Sequence, residues 1–372
     1  SDASYNKTDD SNGEWKSNTL YLERGIPEIL GTLRAGDMYT SSDIFDTVRF
    51  CGVRLYRDMQ MLPNSKQNFT PLVQGIAQMQ SLRPDVVMGF GGGSALDAAK
   101  AIVWFSRQFG IEIETCVAIP TTSGTGSEVT SACVISDPDK GIKYPLFNNA
   151  LYPDMAILDP TLVVSVPPAI TANTGMDVLT HALEAYVSTK ASDFTDALAE
   201  KAAQIVFQYL PVAVSKGDCL ATRGKMHNAS TLAGMAFSQA GLGINHAIAH
   251  QLGGQFHLPH GLANALLLTH VIHFNARDPR AAKRYARFAK ACHLCPDNAN
   301  DTAALNALIR HIELLKKQCA LPSFVDALKD GKQVWSQRIP SMVQAALADV
   351  TLQTNPRVAD ASAMQELLEE LL

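Results

Sequence analysis

The stretch that decides the fold is Pro84–Phe105, PDVVMGFGGGSALDAAKAIVWF. A short apolar run ends near Met88, glycines fill positions 91–93, and apolar residues then recur at helical spacing. The pattern predicts a strand, a tight turn and a helix starting near Ala95. Gly91, Gly92 and Gly93 carry no side chains, so their N–H groups can approach a phosphate closely, and Ser94 adds a hydroxyl donor at the helix N-terminus. A ligand-free strand-to-helix turn has the same pattern, so the glycines alone leave both readings open.

The neighbouring segments repeat the arrangement. CVAIP (116–120) runs into TTSGTGSE (121–128), and DMAILDP (154–160) is a third short apolar run. Strands alternating with helices predict a parallel sheet covered on both faces. Two loops of small residues at the carboxyl ends of parallel strands form a crevice for a nucleotide, with Thr121 and Thr122 as donors to ribose or phosphate. Residues 1–165 are therefore expected to form an α/β dinucleotide-binding domain with a Rossmann-like parallel sheet.

After Val166-Pro167-Pro168 helical apolar spacing dominates, with few β-branched runs. Residues 166–372 are expected to form an all-α C-terminal domain for metal and substrate. Residues 1–17 are polar and read as a disordered lead-in without a secretory signal, and the segment up to residue 70 shows no firm element boundary.

Composition narrows the class. A chain of 372 residues suggests about two domains. A net charge of −5 speaks against a nucleic-acid surface. No apolar run reaches the roughly 20 residues that span a bilayer. Seven cysteines, an odd number spread along the chain, read as reduced thiols of a cytoplasmic protein. The pair Cys292 and Cys295 reads as two small apolar residues near a helix end.

Six of the ten histidines lie between 246 and 273. His246 and His250 are i, i+4, so one helix face would carry both, and Asp177 and His181 share that spacing. His257 and His260 follow an expected break at Gly253-Gly254. No charged residue occurs between His246 and Leu268, which disfavours a surface histidine patch and favours a metal. HAIAH at 246–250 lacks the glutamate of a zinc-protease helix, because Ala247 stands in its place. Imidazole and carboxylate donors suit Fe(II), Zn(II) or Ni(II) alike. Phe237, Leu242, Leu258 and Leu262 suggest an apolar pocket with no arginine or lysine to anchor an anionic substrate.

GGGSALDAAK, PTTSGTGSEVT, GMDVLTHALEAYVS and GLGINHAIAHQLGGQFHLPHGLAN follow one another between Gly91 and Asn264. With these motifs the chain resembles the iron-containing (group III) alcohol dehydrogenases. From about residue 71 onward it resembles the branch that serves 1,2-propanediol utilisation in bacterial microcompartments. The resemblance implies Asp177, His181, His246 and His260 as metal ligands. It makes His250 the non-ligating catalytic histidine near the nicotinamide and on the proton path. Gly91, Gly92, Gly93 and Ser94 would hold the pyrophosphate, Thr121 and Thr122 would flank the cofactor, and Lys143 would reach the nicotinamide ribose. Phe237 and Thr351 would line the substrate pocket.

The implied cofactors are NAD(H) and Fe2+, with Zn2+ as the alternative metal. The implied reaction is reduction of propionaldehyde to 1-propanol with regeneration of NAD+. Partners implied are a small aldehyde or alcohol, further copies of the chain in a dimer or larger assembly, and microcompartment shell proteins. The place of action is cytoplasmic, inside the microcompartment. The family's acidic residue that favours NAD over NADP has no clear counterpart, although Asp37 and Asp43 are candidates. Two rival readings are a zinc-dependent polyol dehydrogenase and a non-catalytic nucleotide-binding shell component.

Overall fold

The structure, a computed structural model, describes residues 19–22, 54–56, 69–137, 142–328 and 331–371. The expectations for residues 1–17, Asp37 and Asp43 lie outside the described residues. The chain divides into two compact units. One comprises the described residues up to Thr122 with Gly126–Val164, the other Ser165–Leu372 with Ser123–Thr125.

The first unit is α/β. Its strands are β1 (Thr19–Leu22), β2 (Arg54–Tyr56), β3 (Val86–Gly91), β4 (Thr115–Pro120) and β7 (Met155–Ala156), in sheet order β2-β1-β3-β4-β7. β3, β4 and β7 are parallel, whereas β1 pairs antiparallel with both β2 and β3. The three apolar runs of the sequence thus supply the parallel strands, and an antiparallel edge is added to them. β3 runs to Gly91, three residues past the expected end at Met88, and the next helix opens at Gly93. β5 (Ala132–Asp137) and β6 (Ile142–Phe147) form a separate antiparallel pair. Helices α1 (Phe69–Leu82) and α2 (Gly93–Gln108) share an apolar core with the strands, built on Met79, Val87, Ile102 and Cys116.

A fully buried lysine fixes the loop after β4. Lys100 on α2 donates from Nζ to the Ser127 carbonyl (2.9 Å), Ser127 Oγ (3.0 Å) and Thr130 Oγ1 (3.1 Å). Asp97, one turn earlier, accepts from Ser127 Oγ (2.6 Å) and the Val134 N–H (3.0 Å) and lies 3.8 Å from the ammonium. Charge and hydrogen bonds are both satisfied within this cluster, which is the condition for burying a charged pair.

The second unit is all helical: α3 (Pro168–Val187), α4 (Asp193–Ser215), α5 (Leu220–Ala240), α6 (Ile244–Phe256), α7 (His260–Asn275), α8 (Pro279–Ala291), α9 (Asp301–Gln318), α10 (Phe324–Ala327), α11 (Gly331–Leu347) and α12 (Ala361–Glu369). It holds two apolar cores. One gathers around α3, α4, α5, α8 and α9, the other around α6, α11 and α12. α7 serves both, turning Ala265, Leu268 and Ile272 into the first and Ala263, Leu266 and Leu267 into the second. A helix apolar on all sides is a buried helix, and α7 is one. The expected break at Gly253-Gly254 does not occur, because α6 runs through both glycines to Phe256. The turn falls instead at His257, in left-handed conformation (φ 55°), followed by Leu258 and Pro259. Proline disfavours helix in the residue before it, which explains the later stop.

Replacing Lys100 by methionine keeps the stem and removes the charge, leaving Asp97 without its cation. The expected loss is about 3–5 kcal/mol in the α/β unit. Hydrogen exchange followed by mass spectrometry should show faster exchange in peptides covering 115–137 and no change in those covering α5. Equal protection in K100M and wild type would refute the clamp.

Candidate metal centre

Residues 175–188 of α3 and the link after it are buried without interruption, charged groups included. Asp177, His181 and Glu184 follow one another at i, i+4 and i+7, so one helical face carries all three. Opposite them stand His246 from α6 and His260 from the first position of α7. One donor atom each from Asp177, His181, His246 and His260 lies within 4.8 Å of every other. Asp177 Oδ1 is 3.8 Å from His246 Nε2 and 3.6 Å from His260 Nε2. Donors about 2.1 Å from a tetrahedral ion stand roughly 3.4 Å apart, close to these spacings.

Close helix approach makes this convergence possible. A Cβ on Gly261 would collide with the Asn173 carbonyl of α3, and one on Gly175 would run into Leu210 of α4. Glycine at these positions lets α7 and α4 close on the helix that bears Asp177.

The surrounding groups orient the donors. Glu184 Oε2 faces Nδ1 of His246, and its Oε1 accepts the Asn245 N–H at 2.7 Å. With Nδ1 donating to Glu184, His246 Nε2 carries a lone pair toward Asp177. Asn264 Nδ2 donates to Asp177 Oδ1 at 2.6 Å and lies 3.1 and 3.2 Å from Nε2 of His246 and His260. Asn245 Nδ2 in turn donates to the Asn264 side-chain oxygen at 2.9 Å, which fixes the amide's orientation.

The electrostatics call for a cation. Burial pushes the Glu184 carboxyl up to about 8, against hydrogen bonds from the backbone N–H groups of Asn245, His246 and Gly243. Burial holds His181 below the ordinary histidine value against the pull of Asp177, and holds His246 well below it. The rings are thus kept in the neutral form a metal binds. Among the described residues neither Asp177 nor Glu184 pairs with a lysine or arginine. Nδ1 of His181 is buried without a hydrogen-bond partner. Buried carboxylates with neutral imidazoles and no basic side chain are a donor set that a divalent ion completes. With no thiolate among them, these donors fit iron or zinc.

The other expected site residues distribute as follows. His250 lies outside the four-donor group; its ring stacks on His260 at 5.5 Å and its Nδ1 is 2.7 Å from Asp349 Oδ2. Phe237 stacks on His181 with ring centroids 4.4 Å apart. Thr351 Oγ1 donates to Asp349 Oδ1 at 2.8 Å, and the other oxygen of that carboxylate faces His250. His257 is exposed and caps α6, and His270 is set beside Lys316 and Glu313. In the α/β unit Gly91 adopts φ 149°, a conformation that favours glycine. Its carbonyl accepts the Thr121 N–H at 2.9 Å, which brings the two glycine-bearing loops together. A Cβ on Gly92 would meet only Thr122 at ordinary contact distance, so packing alone does not require glycine there. No side chain caps α2, whose first turn holds Gly93 and the exposed Ser94. Such a turn leaves backbone N–H groups free of a side-chain cap, an arrangement of the kind that suits an anion. Lys143 sits on β6 opposite Ser136, and its side chain lies outside the described residues.

Glu184, Asn264 and Asp349 bond to the candidate site residues, and the sequence reading did not single them out. Glu184 was within reach, because its i+7 position continues the face of Asp177 and His181. Substituting Glu184 by glutamine should weaken metal affinity about 10- to 100-fold, the usual effect of removing a carboxylate behind a ligating histidine. Metal content per chain after graded dialysis against chelator reads this directly, and unchanged retention would contradict the assignment.

Comparison with known proteins agrees with this geometry. The model "Fe-containing alcohol dehydrogenase family, C-terminal" matches residues 171–372, and "Iron-containing alcohol dehydrogenase" matches 58–160. A model for outer membrane usher protein matches residues 1–82. The 1-propanol dehydrogenase PduQ of Citrobacter freundii is 99% identical over 301 residues, 81% of either chain. Its counterpart from Salmonella typhimurium is 83% identical over the same length. A crystal structure of a 1,3-propanediol oxidoreductase superposes with a TM-score of 0.81 at 31% identity, covering 92% of this chain and 90% of the other. A cluster of one aspartate and three histidines in the helical unit, buried except at His260, the two family matches and near-identity to a relative over most of its length place the chain in the iron-containing alcohol dehydrogenase family.

Proposed function

We propose that this chain is an NAD(H)-linked, iron-dependent alcohol dehydrogenase that reduces propionaldehyde to 1-propanol and regenerates NAD+. The observation that carries the reading is the convergence of Asp177, His181, His246 and His260, the first three buried, with no basic side chain paired to the carboxylates among the described residues. The 99%-identical relative is a 1-propanol dehydrogenase, which supports the substrate. Phe237 beside His181 offers an apolar wall, which suits a short alkyl chain better than a charged one.

When bound, a divalent iron would polarise a carbonyl oxygen as a Lewis acid, and NADH would supply the hydride. The chain's own groups do the rest. The uncapped first turn of α2, with Gly92, Gly93 and Ser94, holds the pyrophosphate by backbone N–H groups. Thr121 and Thr122 border that cradle, and Lys143 reaches for the nicotinamide ribose. Glu184 keeps the Nδ1 proton of His246, so that Nε2 stays a donor toward the ion. His250 is the proton carrier: Nδ1 is engaged with Asp349, and Nε2 exchanges the proton that the product hydroxyl gains. Phe237 shields the site from water. Thr351 acts near the substrate through Asp349.

The family likeness also supports work as a homo-oligomer inside a bacterial microcompartment, in contact with its shell proteins. No helix of the described residues is long and apolar enough to cross a membrane.

The test is anaerobic oxidation of NADH by propionaldehyde with Fe(II), Zn(II) or chelator. Fe(II) should support turnover and chelator should abolish it. Activity confined to Zn(II) with glycerol would favour a polyol dehydrogenase, and NADH binding without aldehyde turnover would favour a nucleotide-binding shell component. His260→Ala should eliminate turnover while NADH still binds with affinity within about threefold, read by fluorescence titration, since deleting one ligand leaves the nucleotide cradle intact. Turnover by metal-free His260→Ala protein would overturn the ligand assignment.

A further inference from the structure

We propose that Asp349 is a positioning residue for proton transfer, holding the Nδ1 proton of His250 so that the ring's Nε2 is the nitrogen that exchanges a proton with the substrate oxygen. This rests on the reading of His250 as the proton carrier.

The geometry around Asp349 is over-determined. It caps the 3-10 turn Val350–Thr354, and its Oδ1 accepts both the Thr351 N–H (2.9 Å) and the Thr351 hydroxyl (2.8 Å). With Oδ1 so engaged the carboxylate cannot rotate freely, and Oδ2 is left facing Nδ1 of His250 at 2.7 Å. Burial acts to raise the Asp349 carboxyl, yet the hydrogen bonds from His250 and Thr351 hold it below the usual carboxylate range, so it acts as an acceptor. With Nδ1–H held by Asp349 throughout, Nε2 gives its proton to the product oxygen from the doubly protonated ring in reduction, and the neutral ring takes a proton back on its Nε2 lone pair in oxidation. The same logic orients the histidine of a hydrolase triad, where the carboxylate sets tautomer and direction without itself taking the proton.

The segment bearing Asp349 is docked onto the link that leads into α6. Thr354 Oγ1 donates to the Leu242 carbonyl at 2.5 Å, and Asn355 Oδ1 accepts the Ile244 N–H at 3.1 Å. Asn355 Nδ2 donates to Asn275 Oδ1 at 2.8 Å. A Cβ on Gly241 would strike Thr354 Oγ1 (2.5 Å), and one on Gly243 would strike Asn355 Oδ1 (2.6 Å). Both glycines immediately precede the helix that carries His246 and His250. The C-terminal segment is therefore keyed to the start of α6, and Asp349 meets His250 at a fixed place. His250 leans on His260 through ring stacking at an interplanar angle of 16°, so its second face is fixed as well.

A plain capping role for Asp349 makes a different forecast. Asparagine and serine are both good N-caps and would preserve the turn. Only the carboxylate accepts unambiguously from Nδ1. The experiment compares D349N, D349S, H250N and the D349N/H250N double variant in the iron-loaded enzyme, with metal content and melting temperature recorded for each. H250N should lower kcat. D349N and D349S should lower kcat for propionaldehyde reduction about 10²-fold, within the range of general acid–base effects, with KM and bound iron within about twofold of wild type. D349N should cause no further loss in the H250N background, because its effect runs through that ring. If H250N loses activity while D349N and D349S keep it, Asp349 is only a cap and the inference fails with the His250 reading intact. Multiplicative losses in the double variant would equally overturn it. An unimpaired H250N would remove the proton-carrier reading itself, and the role of Asp349 with it.

Discussion

Two carboxyl groups, Asp177 and Glu184, are buried on one face of α3 with imidazoles and amides around them and no basic partner among the described residues. The helical unit is arranged around that constraint. An isolated buried carboxylate is strongly disfavoured unless it is neutralised or paired. α3, α6 and α7 must therefore meet closely enough for several donors to share one charge. Gly261 against the Asn173 carbonyl and Gly175 against Leu210 supply that closeness. α7 makes the meeting rigid, since it is packed into both apolar cores at once and cannot shift in one without disturbing the other.

The α/β unit buries charge in the opposite manner. Lys100 and Asp97 are each other's counter-ions, and Ser127, Thr130, Ala132 and Val134 satisfy what remains of their hydrogen-bonding capacity. The cluster is complete within the chain, so it reads as a clamp that holds the loop after β4. At Asp177 the described residues supply acceptors and neutral rings but no cation. Completeness separates the two cases: a buried polar network satisfied by its own residues stabilises the fold, and one that lacks a charge of definite sign is a binding site. The open first turn of α2 is the anionic counterpart of the same argument, with backbone donors and no side-chain cap.

Much of this was legible in the sequence, for reasons that differ by element. The parallel strands were readable because short apolar runs end in glycine or in small hydroxyl residues, and the helices because the apolar period changes after Pro167. Glycine misled at 253–254, where backbone freedom suggested a break but the surrounding helix simply continued. A glycine weakens a helix by only about 1 kcal/mol, less than packing can override, whereas Pro259 is the stronger stop. β1 and β2 are too short to show a period. Glu184 was legible in principle by its register with Asp177 and His181. Asp349 was not, since it stands 99 residues from His250 and only the docking of Asn355 and Thr354 onto the α5–α6 link brings the two together.

The charge balance of the site bears on what it can accept. A divalent ion at the four donors would supply the positive charge that Asp177 and Glu184 lack among the described residues, while burial keeps the rings of His181 and His246 neutral. Asp349 adds a negative charge at the rim, bonded to His250 and to Thr351. No lysine or arginine pairs with the carboxyl groups of the site among the described residues. An anionic substrate would meet no attraction beyond the ion itself and repulsion from Asp349. A neutral oxygen donor with a short apolar tail suffers neither and can lie against Phe237. The features that bury the carboxylates safely therefore also select an uncharged alcohol or aldehyde over an acid or a phosphate ester.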